Sequence, residues 1–328
     1  YLFMTLSAFG LMCMSSAVEL ITIILSLEIH SFALFIIIPF RKHGAYRKQM
    51  EAGIKYALFG AAASGISLYG MSYIFGMTHT TYLADLVEII PDVILKKPLM
   101  LIGLVMLLCG FFNKLALFPM HFWAPDVYEG AANETSGFVA TLPKIGAVAL
   151  LIRLISLAGA DAGQFTWVLM IFAVLSMTFG NLSALVQNDI KRLLAYSSIA
   201  HAGYLLVAIL AQDNSSLVFY LTVYLFMNIG AFAAVIALSK KDKEYLELDD
   251  YAGIGFKYPW IGVTFSIFLL SLAGFPPTGG FLAKFYVFSS AVRQGLVPLV
   301  IIGVLASLIS VFYYLRIIVY MYFREPTR

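Results

Sequence analysis

Glu28 in SLEIHS, Lys114 in NKLALFP, Lys144 in TLPKIG and Lys284 in FLAKFY are charged residues set inside long apolar runs. A lysine at the centre of a membrane helix costs about 2.5–3.5 kcal/mol on insertion scales. Residues retained at that cost face a bundle interior or a hydrated cavity, and they mark ion or proton paths. Lysine suits proton transfer for a physical reason. Its ordinary pKa, near 10.4, falls by several units when the ammonium is buried and rises again beside a carboxylate. The separation between Glu28 and a buried lysine then sets whether that lysine holds its proton, which makes a movable ion pair a switch for loading and release. Arginine cannot serve, because it effectively never deprotonates. The alternative is a set of static salt bridges joining helices, but one glutamate cannot neutralise three lysines.

Two of the lysines stand beside prolines. Pro119 follows Lys114 by five residues, and Pro276-Pro277 precede Lys284 by seven, within AGFPPTGG. A helix break frees backbone groups, which at membrane depth are tolerated only beside protein or water. Paired breaks in the two halves of a transporter point to an ion site near the midplane. Two histidines are candidate relays, having an ordinary pKa near neutrality. His201 lies mid-span with Ser197, Ser198 and Tyr204 nearby; His30 follows Glu28 by two residues and fits a packing role as well as a relay. His121 and Trp123, after the first break, suit the membrane interface, and Asn228 fits a place lining water or bridging helices.

The elements that hold these residues are membrane helices. The chain is 61% hydrophobic and 12% charged, with mean hydropathy +0.91, against about 45–50% and about 25% in soluble domains. Crossing a bilayer takes roughly 20 apolar residues. Ten spans meet that need: 1–17, 18–40, 54–76, 98–122, 135–159, 166–188, 193–212, 215–238, 259–290 and 296–323. The fold class is therefore all-α and polytopic. Stretch 77–97 reads as a loop with a short amphipathic segment. Cys13 and Cys109 both lie in apolar runs, without a CxxC or a Cys/His cluster, so no disulfide and no metal site is expected. No phosphate loop, dinucleotide-binding glycine pattern or haem-attachment motif is present, so no cofactor is expected in this chain and its energy must come from a partner chain or an ion gradient. No basic face with interleaved aromatics points to nucleic acid.

Alternating the ten spans puts Arg41, Lys42, Arg47, Lys48, Lys191, Arg192, Lys240, Lys241, Lys243, Lys257, Arg324 and Arg328 on one face, and only Lys96, Lys97 and Arg293 on the other. By the positive-inside bias the first face is cytoplasmic, and residue 1 starts there. Six basic residues remain inside spans. Lys55, near a helix end, can snorkel; Arg153 and Arg316 read as snorkelling or paired; Lys114, Lys144 and Lys284 are the three already described. The spans divide into halves of five, 1–159 and 160–328. Five is odd, so the second half runs inverted through the membrane. In each half the fourth span, 98–122 and 259–290, is the broken one that carries a lysine.

KLALFPMHFWAPDVYEGA, ATLPKIGAVALLIRL, GNLSALVQNDIKRLLAYSSIAHAGYLL and LAGFPPTGGFLAKFYVF together resemble the antiporter-like membrane subunits of respiratory complex I. FWAPDVYEGA favours the N-type subunit of bacterial NADH–quinone oxidoreductase, and the resemblance spans essentially the whole chain. It implies two inverted five-helix repeats, and an integral protein of the bacterial inner membrane whose partners are neighbouring membrane subunits and lipids. It implies a proton-translocating subunit that meets quinone only through the whole complex. Glu28 matches the family's membrane glutamate, Lys114 the lysine it pairs with, Lys144 the bridging lysine and Lys284 the terminal lysine; His201 stands where a polar relay is common. GAANETSG (130–137) departs from the family's usual GAPTPVT, which changes a loop and not the charged axis. Family members carry further helices ahead of residue 1 and one after the end, so the chain reads as a fragment. The rival readings are a cation/proton antiporter or membrane-hydrogenase subunit of the same superfamily, and a membrane scaffold held together by its buried charges.

Overall fold

The computed structural model describes residues 1–40, 46–159, 163–239 and 247–325. Arg41, Lys42, Lys240, Lys241, Lys243 and Arg328 of the basic face lie outside them. Among the described residues the protein is all-helical, without a strand: α1 (Leu2–Ser16), α2 (Leu20–Ile37), α3 (Tyr46–Thr78), α4 (Leu83–Lys96), α5 (Pro98–Leu115), α6 (Trp123–Gly130), α7 (Asn133–Ser156), α8 (Gly163–Leu185), α9 (Ile190–Leu210), α10 (Asn214–Leu238), α11 (Ile254–Lys257), α12 (Pro259–Ala273), α13 (Gly279–Arg293) and α14 (Val297–Phe323), with a short 3-10 turn at Leu248–Tyr251. Among the described residues eight helices are long and apolar enough to cross a membrane, and α1 and α12 are shorter apolar helices. This is an integral membrane protein.

The chain forms two compact units. The first comprises residues 1–131 and 142–171, the second 132–141 and 172–328, so the division falls inside α7, just ahead of Pro143. In the first unit α1 packs on α2, and α3 packs on both α5 and α6. Small residues set the closest approach, as expected where lipid gives no hydrophobic drive between helices. A Cβ on Gly70 of α3 would lie 2.4 Å from the Leu107 nitrogen of α5. In the second unit α10 packs on α12 and α13, and α9 on α10 and α13. Helix α9 is buried along nearly all its length, with apolar residues on every side and no wholly polar face to turn outward.

The spans expected from hydropathy correspond to helices, with shifted ends. Helix α3 begins at Tyr46, inside what hydropathy alone reads as the loop 41–53. Charged residues on its first turns mask a helix that continues past the apolar core. Stretch 77–97 holds α4, a helix with one buried apolar face of Leu83, Leu86 and Ile90. The stretch after Pro119, read as loop, contains the eight-residue α6.

Asp213 caps α10, accepting from the Ser215 and Ser216 nitrogens at 3.1 and 3.2 Å and from the Ser216 hydroxyl at 2.6 Å. It also accepts from the Ser290 hydroxyl of α13, tying the end of that helix to the start of α10. These hydrogen bonds, Ser216 first and Ser290 next, hold its carboxyl down at about 2. A lowered folded pKa means the contribution is complete above the ordinary value of 3.8 and is lost as pH falls toward 2. Asp213→Ala should therefore cost about 1 kcal/mol at neutral pH. In thermal unfolding of the purified protein, the gap between variant and native should stay flat from pH 8 to about 5 and close below about 4.

Candidate functional site

Both lysine-bearing spans are broken by the same local device. Helix α5 ends at Leu115, where Ala116 turns left-handed (φ 57°), and α12 ends at Ala273, where Gly274 does the same (φ 82°). The first break thus opens at Ala116, ahead of Pro119. A proline removes a donor and disfavours helix in the residue before it, so the helix stops upstream of the ring. The peptides Phe118-Pro119 and Pro276-Pro277 are both cis. Lys114 lies in the last turn of α5, before its break, whereas Lys284 lies in the second turn of α13, after its break.

In the first unit Lys114 is 2% exposed. Its Nζ donates to the Tyr56 hydroxyl at 3.1 Å and sits 5.0 Å from the centre of that ring. Glu28 acts electrostatically on both Lys114 and Tyr56, but forms no ion pair with the lysine, and its Oε1 is buried without a hydrogen-bond partner. His30 is buried beside them, with Nδ1 2.8 Å from the Ser7 hydroxyl of α1 and Nε2 unpartnered. Trp123 closes the break from the far side: its Nε1 donates to the Asn113 carbonyl at 2.9 Å, and its ring meets Tyr56 edge-on at 4.8 Å. Lys144, fully buried on α7 one residue after Pro143, belongs to the same unit.

In the second unit Lys284 is 6% exposed. It reaches back across the break, donating to the carbonyls of Leu272 (3.1 Å) and Ala273 (3.0 Å) and to the Ser307 hydroxyl (2.9 Å) of α14. These are the last carbonyls of α12, which no further turn of that helix can satisfy. A cation at a helix C-terminus is also favoured by the helix dipole. The ammonium lies 5.2 Å from the centre of the Tyr204 ring, and the His201 ring meets the same tyrosine edge-on at 5.6 Å. Tyr204 therefore stands between the two residues expected from sequence. A cavity of about 340 Å³ opens beside Lys284, lined by Phe281, Phe285, Phe288, Val304 and Ser307 among others.

Behind Tyr204 runs a buried polar chain. Asn181 donates to the Tyr204 hydroxyl (3.3 Å) and accepts from Tyr313 (2.9 Å), and Tyr314 bonds to Ser197. His201 Nδ1 is 2.7 Å from the Tyr220 hydroxyl, and Ser198 is 3.0 Å from that of Tyr224. Tyr56, Asn181, Tyr313, Tyr314 and Ser307 carry no mark in a hydropathy reading. The one available signal was position. Tyrosine favours the membrane interface, yet Tyr313 and Tyr314 lie well inside the 27-residue α14.

The other charges inside spans have partners. Hydropathy puts Lys55 near a helix end, but because α3 begins at Tyr46 it sits in the third turn, paired at 2.6 Å with both Glu51 and Asp126. Arg153 donates to the Ser15 carbonyl at 2.9 Å, and Arg316 to Asn188 at 2.8 Å. Among the described residues no group of three or more His, Cys, Asp or Glu side chains could hold a metal ion.

A family profile described as NADH:quinone oxidoreductase/Mrp antiporter, TM, matches residues 17–310. The chain is 46% identical to NADH-quinone oxidoreductase subunit N 2 of Solidesulfovibrio magneticus over 99% of its own length and 69% of that protein's. It is also 46% identical to NADH-quinone oxidoreductase subunit N of Trichlorobacter lovleyi, over 96% of its length and 65% of the relative's. The chain thus spans about two thirds of the relatives it matches. Among solved structures, a chain of respiratory complex I from Thermus thermophilus with bound aureothin superposes with a TM-score of 0.87 at 34% identity, covering 100% of this chain and 71% of that one. A chain of the Mrp complex from Dietzia sp. shares the fold, with a TM-score of 0.88 at 21% identity over 97% of this chain and 59% of that one.

Proposed function

The chain belongs to the NADH:quinone oxidoreductase/Mrp antiporter family of membrane subunits, and we propose that it translocates protons as an N-type subunit of a bacterial NADH–quinone oxidoreductase. It does no redox chemistry itself. The observation that carries this reading is that Lys114 and Lys284, the lysines at the two helix breaks, are buried and hydrogen-bonded to neutral groups, with no carboxylate ion pair on either. A scaffold built on buried charge would pair them, because an unpaired buried charge is strongly destabilising. A lysine held by neutral oxygens can give up its proton and keep its place.

A proton taken up from the cytoplasmic side reaches Lys114 under the control of Glu28. It passes by Lys144, with water and the His201 region, to Lys284; His30 is a secondary relay beside Glu28. Release is coupled to quinone reduction elsewhere in the complex through neighbouring membrane subunits. The basic face is cytoplasmic, in the bacterial inner membrane. Residues 1–159 and 160–328 act as two inverted repeats. In support, each half runs as three helices, a short connecting segment (α4 in one, the 3-10 turn and α11 in the other), a broken helix and a last helix, and in each the residue capping the second helix pairs with the start of that connecting segment: Glu19 with Tyr82, and Asp189 with Glu247.

The double variant Glu28→Gln/Lys114→Met, tested in the intact complex in liposomes, separates this from the scaffold reading. Proton transfer requires that the double variant remain as deficient in NADH-driven proton movement as either single variant. Recovery of native movement in the double variant, after assembly defects in the singles, would sink it.

A further inference from the structure

Gln49 is an amide in a place that satisfies neither of its polar atoms. It lies on the first turns of α3, is 1% exposed, and has both Oε1 and Nε2 buried without a hydrogen-bond partner among the described residues. Each such atom costs about 1–3 kcal/mol if left unsatisfied. Buried polar groups of this kind are met by internal water, which needs two to four polar partners.

Its position gives that water a destination. Gln49 and Tyr56 are seven residues apart, which puts them on one face of α3, about 10 Å apart along the axis. Tyr56 is the hydroxyl that accepts from Lys114. The stretch between them is covered by α6, which runs antiparallel along it. Trp123 packs on Tyr56, Asp126 pairs with Lys55 at 2.6 Å, Glu129 pairs with Lys48 at 2.7 Å, and a Cβ on Gly130 would lie 2.6 Å from that of Ala52. Two ion pairs thus strap the second half of the broken helix over this seam. The outer end of the seam is close to bulk water: α3 has 33 residues, about 50 Å of helix, against a hydrocarbon thickness of about 30 Å. Its charged first turns, with Arg47, Lys48, Glu51 and Lys55, extend past the lipid core. At the inner end, Asn113 Oδ1 and Glu28 Oε1 are likewise buried and unpartnered, beside Lys114.

The geometry points to Gln49 as the positioning residue of a proton inlet, holding the outer part of a short water file that runs under α6 to Tyr56 and Lys114. The inference rests on the proton-translocating reading above. A span of about 10 Å takes roughly three waters at ordinary hydrogen-bond spacing. In the transfer step an excess proton taken up from bulk water is handed along the file, so the last water holds it as hydronium; it passes to the Tyr56 oxygen as the Tyr56 proton passes to the neutral Lys114 amine. The hydronium is left as neutral water, Tyr56 ends as it began, and Lys114 ends as the ammonium.

Gln49→Leu separates this from a packing role. Leucine fills a similar volume and removes two unsatisfied atoms, so a merely structural Gln49 predicts unchanged or higher stability with native proton movement. The inlet predicts unchanged assembly with NADH-driven proton movement in liposomes slowed at least about fivefold, or ~1 kcal/mol, and most of the native rate in Gln49→Glu. Lys114→Met is measured in parallel. Native movement in Gln49→Leu with loss in Lys114→Met overturns the inlet alone; native movement in both overturns the proton path and the inlet with it. Water access is read independently of folding defects. In Gln49→Cys, a small water-borne thiol reagent should label residue 49 well ahead of Cys109, and labelling no faster than Cys109 overturns the inlet.

Discussion

Lys114→Met leaves the complex assembled and slows NADH-driven proton movement at least about tenfold, a barrier increase of about 1.4 kcal/mol or more. Methionine is unbranched like lysine, one atom shorter, and suits an apolar site. The substitution removes a charge whose insertion costs about 2.5–3.5 kcal/mol and breaks no ion pair, because Lys114 donates a hydrogen bond to Tyr56 and touches no carboxylate among the described residues. The ammonium also acts on the buried Glu28, so the assembled fraction of the variant is measured alongside and proton movement is compared per assembled complex. Dye-reported proton uptake in liposomes, set against the rate of quinone reduction, gives the ratio to compare. A native ratio in an assembled Lys114→Met complex would remove this lysine from the path.

Lys284 should respond differently to two replacements. Lys284→Arg keeps the positive charge and can still donate to the Leu272 and Ala273 carbonyls, but an arginine does not release its proton at accessible pH. The variant should assemble and lose proton movement by at least about tenfold. Lys284→Met also loses movement and in addition leaves those carbonyls without their donor, which should lower thermal stability by about 1–3 kcal/mol. An order in which arginine pumps and methionine is the more stable variant would contradict both the proton role and the capping role. The split arises because the first break carries its lysine on the helix that ends, and the second carries it on the helix that begins.

The intramembrane charges were legible because charge within an apolar run is conspicuous, and the breaks because proline and glycine leave few alternatives. Helix ends were less legible. Ala116 ends α5 in a conformation no alanine advertises, and charged first turns hid the start of α3. The partners of the lysines were not legible. Tyr56 and Lys114 are 58 residues apart, and Lys55 and Asp126 are 71 apart; nothing local in one sequence couples them. Tyrosine compounds the difficulty, because hydropathy counts it with the apolar residues while burial turns its hydroxyl into part of a network. Asn181 was likewise hidden, as a single amide in an apolar helix.

An ammonium group has three protons to donate, and Lys284 donates to three oxygens, those of Leu272, Ala273 and Ser307. A neutral amine has two protons and a lone pair. Two of the three acceptors are backbone carbonyls, which cannot turn round and become donors; the serine hydroxyl can. Were that proton to leave along the proposed path, the two carbonyls could keep their bonds while Ser307 turned its own hydrogen toward the nitrogen. The departure would then register as the reversal of one dipole on α14. On the proposed proton path, Ser307 would then serve as a memory of one bit, storing whether Lys284 is loaded.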